Sequence, residues 1–364
     1  MTNSKYQYNR NVFYYLEDGK VIACNTLSQE YYELEEEYFK RLLTASNNNS
    51  HLLPNDNFKK ELLEGGLLLE DKSEPSISWE GDPISFFCHQ GTRILSQYTP
   101  KLRDEEVCGD FISLSSSSAK EIPARYIPEY SERILLQEPN LDYFNDPSLY
   151  KVTKNRKTCR NFDNKSVEVD LLASLLYFCF GPIHGKVWED FEQYNIPSYG
   201  LRRSSPSATG LQGCDAYLVA LNVEGLEKGI YYYSSDEHCL YRLKNTLDDE
   251  GLIYATNDQF WAKNLSAGIF IVNDMRRTWV KDKKARGYLA AYLEAGHVSQ
   301  TILLAATSLK LQTWLTGTFR DDVVDNLLQL KGSPCFASVF VGMGYGDNGS
   351  IPKKFIETIR QQHL

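Results

Sequence analysis

Five of the ten residues in "KVTKNRKTCR", 151–160, are cationic: Lys151, Lys154, Arg156, Lys157 and Arg160. None is acidic, in a chain whose formal charge is −9. Arg156 and Arg160, with Lys157 and Thr158 between them, form a forked donor set plus a hydroxyl, the donor type suited to a phosphate monoester. The plain alternative for a charge run is a solvated basic face. A second unusual stretch follows some 45 residues on, "LRRSSPSATGLQG", 201–213. Pro206, Ser207, Ala208, Thr209 and Gly210 are all small and precede the strand pattern "CDAYLVALNV". Such a loop lets a planar ligand lie against the backbone while amides and hydroxyls bond its edge, although a plain turn has the same composition.

Other chemistries are argued against. No G-x-G-x-x-G is read between a strand and a helix pattern, so no nicotinamide-binding fingerprint is expected; "GMGYGDNG" at 342–349 has glycines but trails the final strand without a following helix pattern, and reads as a turn. The eight cysteines include no C-x-x-C pair, which suggests neither a zinc site nor a redox pair, and they are expected to be reduced core fillers. His297 shares a helical face with Leu293, Gln300 and Leu304 and reads as a core or dimer-interface histidine. His184 and His238 fall in loops, and His89 follows an apolar stretch without a partner pattern.

The elements that must position these residues fall into three parts. The 364 residues are too many for one ordinary core. Residues 1–80 read as a small α+β unit: a hairpin about Asp18-Gly19, a helix in "ELEEEYFKRLLTAS" with Leu34, Tyr38, Leu42 and Leu43 on one face, and a second helix stopped at Gly65-Gly66. That order resembles a winged helix. With 14 Asp/Glu against 8 Lys/Arg, however, this unit repels a phosphate backbone, and DNA binding is not expected. Residues 81–149 read as a linker and connecting region, with "SFFCHQGTRIL" as a helix and "SLSSSSAKEIPARYIPEY" as a loop. Residues 150–364 mix strands with long helices, which implies an α+β domain. Within them "SVEVDLLASLLYFCFG" is a helix closed by Gly181, "GIYYYSSDEHCLYRL" a strand pair across a polar turn, and "ASVFVGMG" a buried strand. The small residues of "LAAYLEAGHVSQTILLAATSLKL" predict a helix buried on several sides. No run of 18 apolar residues and no signal-peptide pattern is present, so a cytoplasmic protein is expected.

Four blocks resemble a known family, in order and over roughly 150–364. "RKTCRNF" is similar to the "RRSxRxF" motif of FMN-dependent nitroreductase-fold proteins. "PSATGLQGCDAYLVALNVEGLEKGIYYYSSDEHCLYRL", "RGYLAAYLEAGHVSQTILLAATSLKL" and "GTFRDDVVDNLL" resemble the SagB-type branch. That branch implies dehydrogenases that oxidise thiazoline or oxazoline rings of ribosomally made peptides to aromatic azoles. The resemblance implies that Arg156, Lys157, Thr158 and Arg160 hold the phosphate and ribityl chain of FMN. It further implies that Pro206, Ser207, Ala208, Thr209 and Gly210 line the isoalloxazine, that Thr316 and Gly317 sit near its polar edge, and that Lys353 and Lys354 reach the phosphate. Thr209 stands where the family usually has glycine. Asp282 and Lys283 stand where the branch commonly has a Lys-Tyr pair, so Lys283 is the first candidate for the base, with Lys281, Lys284 and Tyr288 behind it.

The activity so implied is FMN-dependent azoline oxidation on a heterocyclised precursor peptide, in a homodimer, with a cyclodehydratase as a plausible biosynthetic partner. The acidic N-terminal unit then resembles a recognition element that binds a leader peptide as an added strand. Two other functions share the fold: an NAD(P)H-dependent nitro or quinone reductase, and a non-catalytic scaffold of a peptide-modifying complex.

Overall fold

The computed structural model describes residues 6–46, 56–70, 82–93, 103–120, 122–145, 148–186, 192–193, 200–280, 283–347 and 349–362. The chain divides into two compact units, Met1–Glu106 with Lys284–Arg286, and Val107–Lys283 with Gly287–Leu364.

In the first unit β1 (Tyr6–Tyr8) pairs with β5 (Leu68–Glu70), and β2 (Val12–Glu17), β3 (Lys20–Asn25) and β4 (Glu30–Leu34) form an antiparallel meander. The turn joining β2 to β3 has Asp18 at φ 49° and Gly19 at φ 78°, two left-handed residues of the kind a tight hairpin requires. Helices α1 (Glu36–Ser46) and α2 (Asn57–Glu64) bury Leu42 and Leu62 against Val12, Ala23, Leu34, Leu67 and Leu68. The Asp56 carboxylate caps α2 by accepting from Lys59 N, and the chain leaves it through Gly66 at φ 64°. Leu43, expected on the buried face of α1, is exposed. Helix α3 spans Pro83–Gly91.

The serine stretch expected as a loop is helical instead: α4 runs Asp104–Lys120. Asp104, Glu105 and Glu106 complement the helix dipole in its first turn, and no proline intervenes before Pro123 to stop it.

The second unit is built on β6 (Tyr130–Leu135), β8 (Cys214–Ala220), β10 (Gly229–Ser234), β11 (Cys239–Leu243), β12 (Ala267–Asp274), β13 (Gln312–Thr316) and β14 (Cys335–Gly344). They form one sheet in the order β13-β14-β12-β8-β10-β11-β6, antiparallel at every pairing. A short parallel pair joins β7 (Val167–Glu168) to β9 (Val223–Glu224). The helices are α5 (Leu149–Asn155), α6 (Val169–Phe180), α7 (Asp249–Ala255), α8 (Met275–Trp279), α9 (Ala285–Ser308), α10 (Asp321–Leu328) and α11 (Lys353–Gln362).

Side chains alternate across a strand, and β8 shows where they go. Cys214, Ala216, Leu218 and Ala220 join a core with Leu172, Leu175 and Leu176 of α6 and Ala295, Val298 and Ile302 of α9. Tyr217 and Val219 join the opposite core, with Leu252 and Ala255 of α7 and Val324 and Leu328 of α10. A sheet covered on both faces buries nearly every position, and all seven residues of β8 are buried, six of them apolar and the seventh, Asp215, paired with Arg125. Gly268 in β12 is required by this packing, since a Cβ there would lie 2.3 Å from Cζ of Phe340. Helix α9 is not buried on several sides: Tyr288, Tyr292, Leu293, Gly296, His297 and Gln300 form an exposed stripe opposite the face that meets the sheet. No described helix is long and apolar enough to cross a membrane.

Candidate functional site

The cationic segment emerges from the end of α5. Arg156 is its C-cap, and the chain then runs beside the sheet's terminal strand, where Thr158 bridges Thr313 and Cys159 N donates to Thr313 O at 2.8 Å. The following residues pair with the chain just before α11. Arg160 N donates to Gly349 O at 2.8 Å, Arg160 Nη1 to Ser350 O at 2.7 Å, and Lys353 N to Asn161 Oδ1 at 2.9 Å. Residues 156–160 and 353 are thereby brought together from sequence positions nearly two hundred apart.

The donors there are not equivalent. Arg156 and Lys157 form no ion pair among the described residues. Arg160 lies over the Trp261 ring at 5.4 Å. Lys353 Nζ binds Asp347 at 3.0 Å, and that hydrogen bond holds the Asp347 carboxyl below the usual range. Lys354 sits over the Phe260 ring at 5.6 Å. The Thr313 hydroxyl is buried without a hydrogen-bond partner among the described residues. Two uncommitted cations and an orphaned hydroxyl fit a phosphate group. Thr316 lies three residues along β13 from Thr313, roughly 10 Å at the strand rise. Its hydroxyl accepts from Thr318 N at 3.0 Å and Gln259 Nε2 at 3.1 Å, so it holds its own turn. Gly317 follows it, with only Ser338 O near the place of a Cβ, at 3.8 Å.

The small-residue loop is held from α6 and α9. Ser204 Oγ donates to Phe178 O at 2.8 Å, and Ser205 Oγ lies 2.7 Å from Thr301 Oγ1. Pro206, Ser207 and Ala208 line a mostly apolar pocket of about 230 Å³ whose other wall is Ala290, Leu293, Glu294 and His297 of α9. Two hydroxyls turn back onto the loop: Ser207 Oγ accepts from Gln212 N at 3.3 Å and Thr209 Oγ1 from Leu211 N at 3.1 Å. Thr209, placed where the family has glycine, is thus a buried cap on the loop's own amide, while Gly210 at φ 73° supplies the left-handed turn.

Behind the loop lies a buried ionic cluster that sequence reasoning missed. Arg277 Nε donates to Leu211 O at 2.8 Å, Arg125 Nη1 to Gln212 O at 3.3 Å, and Arg203 Nη1 to Cys214 O. Asp274 N donates to Gly213 O at 2.8 Å and Cys214 N to Glu294 Oε1 at 3.2 Å. Arg125 also pairs with Asp215, and Arg203 lies 3.6 Å from it. Burial pushes the Arg277 guanidinium down to about 10, with the like charge of Arg125 adding to it. Burial likewise lowers Arg203. Burial, then Glu294, raises the Cys214 thiol well above its ordinary value. The one sequence signal was the pair Arg202-Arg203 ahead of the loop; Arg125 and Arg277 carried none.

His297 is not a core residue. It is exposed and walls the loop pocket. Lys283 and Lys284 are exposed. Tyr288 is half-exposed, with its hydroxyl 3.3 Å from that of Tyr292 and its ring 5.6 Å from Phe336. Lys281 and Asp282 lie outside the described residues.

The nitroreductase family model matches residues 153–345, more than half of the chain, and the chain belongs to the nitroreductase family. It is 28% identical over 144 residues to a Methanocaldococcus jannaschii protein provisionally named a nitroreductase, covering 40% of this chain and 72% of that one. Among solved structures, a Ralstonia eutropha protein provisionally titled a nitroreductase has 19% identity and a TM-score of 0.47, over 62% of this chain and 96% of its own. The Escherichia coli microcin synthetase complex with truncated pro-microcin bound has 18% identity and a TM-score of 0.43, over 69% of this chain and 100% of the matched one. These structural likenesses are loose, and the family assignment stands on the family model.

Proposed function

We propose that the protein is an FMN-dependent dehydrogenase that oxidises thiazoline or oxazoline rings in a ribosomally made peptide. The observation that carries the reading is the apolar pocket of about 230 Å³ between the small-residue loop and α9. It sets a surface of small loop residues, suited to a planar ligand, against one wall of α9 that carries two polar residues, Glu294 and His297. The SagB-type motifs around that loop give the substrate class. Arg156, Lys157, Thr158 and Arg160, with Lys353 and Lys354, would hold the phosphate end of FMN, while Pro206–Gly210 and Thr316-Gly317 would meet the ring in a homodimer.

FMN, when bound, supplies a two-electron acceptor that molecular oxygen can regenerate. The protein's part would be to take the proton that the adjacent C=N and carbonyl make acidic and to orient the neighbouring carbon toward the bound group. Lys283 is the proposed base, with Lys281, Lys284 and Tyr288 as alternatives. In the N-terminal unit β4 is an edge strand beside a groove of about 390 Å³ lined by Tyr32, Glu33, Glu35, Tyr38, Glu61 and Glu64. An edge strand with a groove suits a peptide added as a further strand, which supports a recognition role for this unit.

The test mixes the yellow holoprotein with a thiazoline-bearing peptide and reads the peptide mass. Loss of two hydrogens per ring is expected. A protein that consumes NADH with nitroaromatics and leaves the ring unchanged is instead a nitro or quinone reductase, the reading that the name of the M. jannaschii relative favours. If Lys283→Ala oxidises the peptide at the parental rate, the base lies elsewhere.

A further inference from the structure

The carbonyls of four consecutive residues after the small-residue loop are all taken, three by donors from distant sequence and one by Arg203 at the loop's own start. Leu211 O is bound by Arg277, Gln212 O by Arg125, Gly213 O by Asp274 N and Cys214 O by Arg203. Such complete engagement is not needed to satisfy a β-strand, because only Cys214 belongs to β8. It coincides with backbone that does not hold itself. Gln212 sits at φ 53°, the left-handed region that costs a non-glycine residue on the order of 1 kcal/mol or more. Its amide is bound by Ser207 Oγ and its carbonyl by Arg125, so both peptide groups flanking the strained residue are tied.

Arg125 comes from ahead of the family-matched region 153–345. Its side chain is 6% exposed and pairs with Asp215 at the start of β8. The segment that carries it is stitched to the same unit on either side. Pro123 O accepts from Arg277 Nη1 at 2.8 Å, Ala124 O accepts from Arg276 Nη2 at 3.2 Å, and the Tyr126 hydroxyl donates to Gln329 O at 2.5 Å. Arg277 therefore bridges this segment and the loop exit, with one face of its fork on Pro123 O and the other on Leu211 O. A planar guanidinium spans the two carbonyls from separate nitrogens in a fixed fork, which the single ammonium of a lysine does not offer. Arg125 Nη2 and Arg203 Nε are buried without hydrogen-bond partners among the described residues, a cost that stability alone gives no reason to retain.

We infer that Arg125, acting with Arg203 and Arg277, is a positioning residue: a clamp that imposes the left-handed turn at Gln212 and so sets the surface that Pro206, Ser207 and Ala208 present to a planar ligand. The segment 123–126 is thus part of the ligand-binding apparatus although it precedes the family domain. The consequence for FMN rests on the function proposed above; the consequence for the loop does not.

The test uses the full-length chain and compares the parental protein with Arg125→Met, Arg125→Lys and, as a control for simple loss of stability, Leu240→Ala in the core of β11. Two quantities are read: amide hydrogen exchange in 206–215 against that in β10 and β11, and the dissociation constant of FMN from quenching of its fluorescence. Losing a charge-assisted bond to a strained turn is expected to raise exchange in 206–215 about ten-fold beyond any change in β10 and β11, and to weaken FMN about ten-fold, for Arg125→Met. Arg125→Lys keeps the charge without the fork and falls between. Leu240→Ala accelerates both regions alike and leaves FMN affinity within about two-fold. The clamp is overturned if loop exchange in Arg125→Met rises no more than that of β10 and β11. Should Arg125→Met fail to fold, Arg125→Lys alone decides by the same comparison. If the parental protein takes up no FMN, the flavin reading fails, while the exchange data still judge the clamp.

Discussion

Segment 156–160 and loop 206–214 are both candidates for contact with one ligand, and they are built differently. In the first, the charges are local, half-exposed or exposed, and partly uncommitted: Arg156 and Lys157 have no acidic partner among the described residues. In the second, the residues that line the pocket from the loop are small and uncharged, and the charges lie behind them, buried and tied to backbone carbonyls. A phosphate needs strong donors free to reach it, and neighbours in sequence can provide them. A flat ring needs a surface of fixed shape, and a loop of small residues has little side-chain packing of its own to hold that shape. The rigidity has to come from elsewhere, and the guanidiniums that bind its carbonyls stand at the head of the loop, Arg203, and on two other stretches of chain, Arg125 and Arg277.

If that contrast is right, breaking the buried side costs folding and breaking the exposed side costs only binding. The largest effect is expected at Arg203, whose side chain is wholly buried. Arg203→Met should lower the unfolding free energy by about 3 kcal/mol, read from the urea midpoint, because it strips Cys214 O and Ser235 Oγ of their donor and leaves Asp215 short of positive charge. An unchanged midpoint would show that the buried cluster is not holding the loop exit.

Next comes the exposed side. Arg156→Ala with Lys157→Ala should weaken FMN about ten- to hundred-fold while the apo protein unfolds at the parental midpoint. The same binding should weaken as salt rises toward 1 M, where the screening length falls to about 3 Å. Equal loss of stability and affinity would erase the distinction between the two segments. A smaller effect belongs to Ser207→Ala. It removes the acceptor for Gln212 N, and should cost about 1 kcal/mol in the urea midpoint and weaken FMN a few-fold. The smallest is Lys353→Ala: no measurable shift in midpoint, because its pairing with Asp347 is solvent-exposed. Titration of that variant with FMN sharpens the comparison, since a loss of affinity enrols Lys353 in the phosphate set and unchanged affinity assigns it to the surface.

Local patterns were legible in the sequence wherever the cause is local. Asp18-Gly19 makes a hairpin because both residues tolerate positive φ. Gly181 caps α6, and the polar turn between β10 and β11 lies where the alternation breaks. The serine stretch at 115–118 misled because serine by itself favours caps and turns, and its neighbours decided for a helix. Helix α9 misled because small residues indicate close approach but not on how many sides; the sheet covers one face, and His297 and Leu293 are left on the other, beside the loop. Arg125 was invisible, since nothing around "IPARYIP" distinguishes a buried arginine from a solvated one.

The amino-acid order by itself determined the hairpin at Asp18-Gly19, the cationic run and the small-residue stretch, because turn chemistry, composition and charge are properties of neighbours along the chain. Only the tertiary structure decided which carbonyls of that stretch are held, and by whom. A buried guanidinium must find partners wherever the fold supplies them, and Arg277, Arg125 and Arg203 find carbonyls at Leu211, Gln212 and Cys214, which no spacing in the sequence connects to all three.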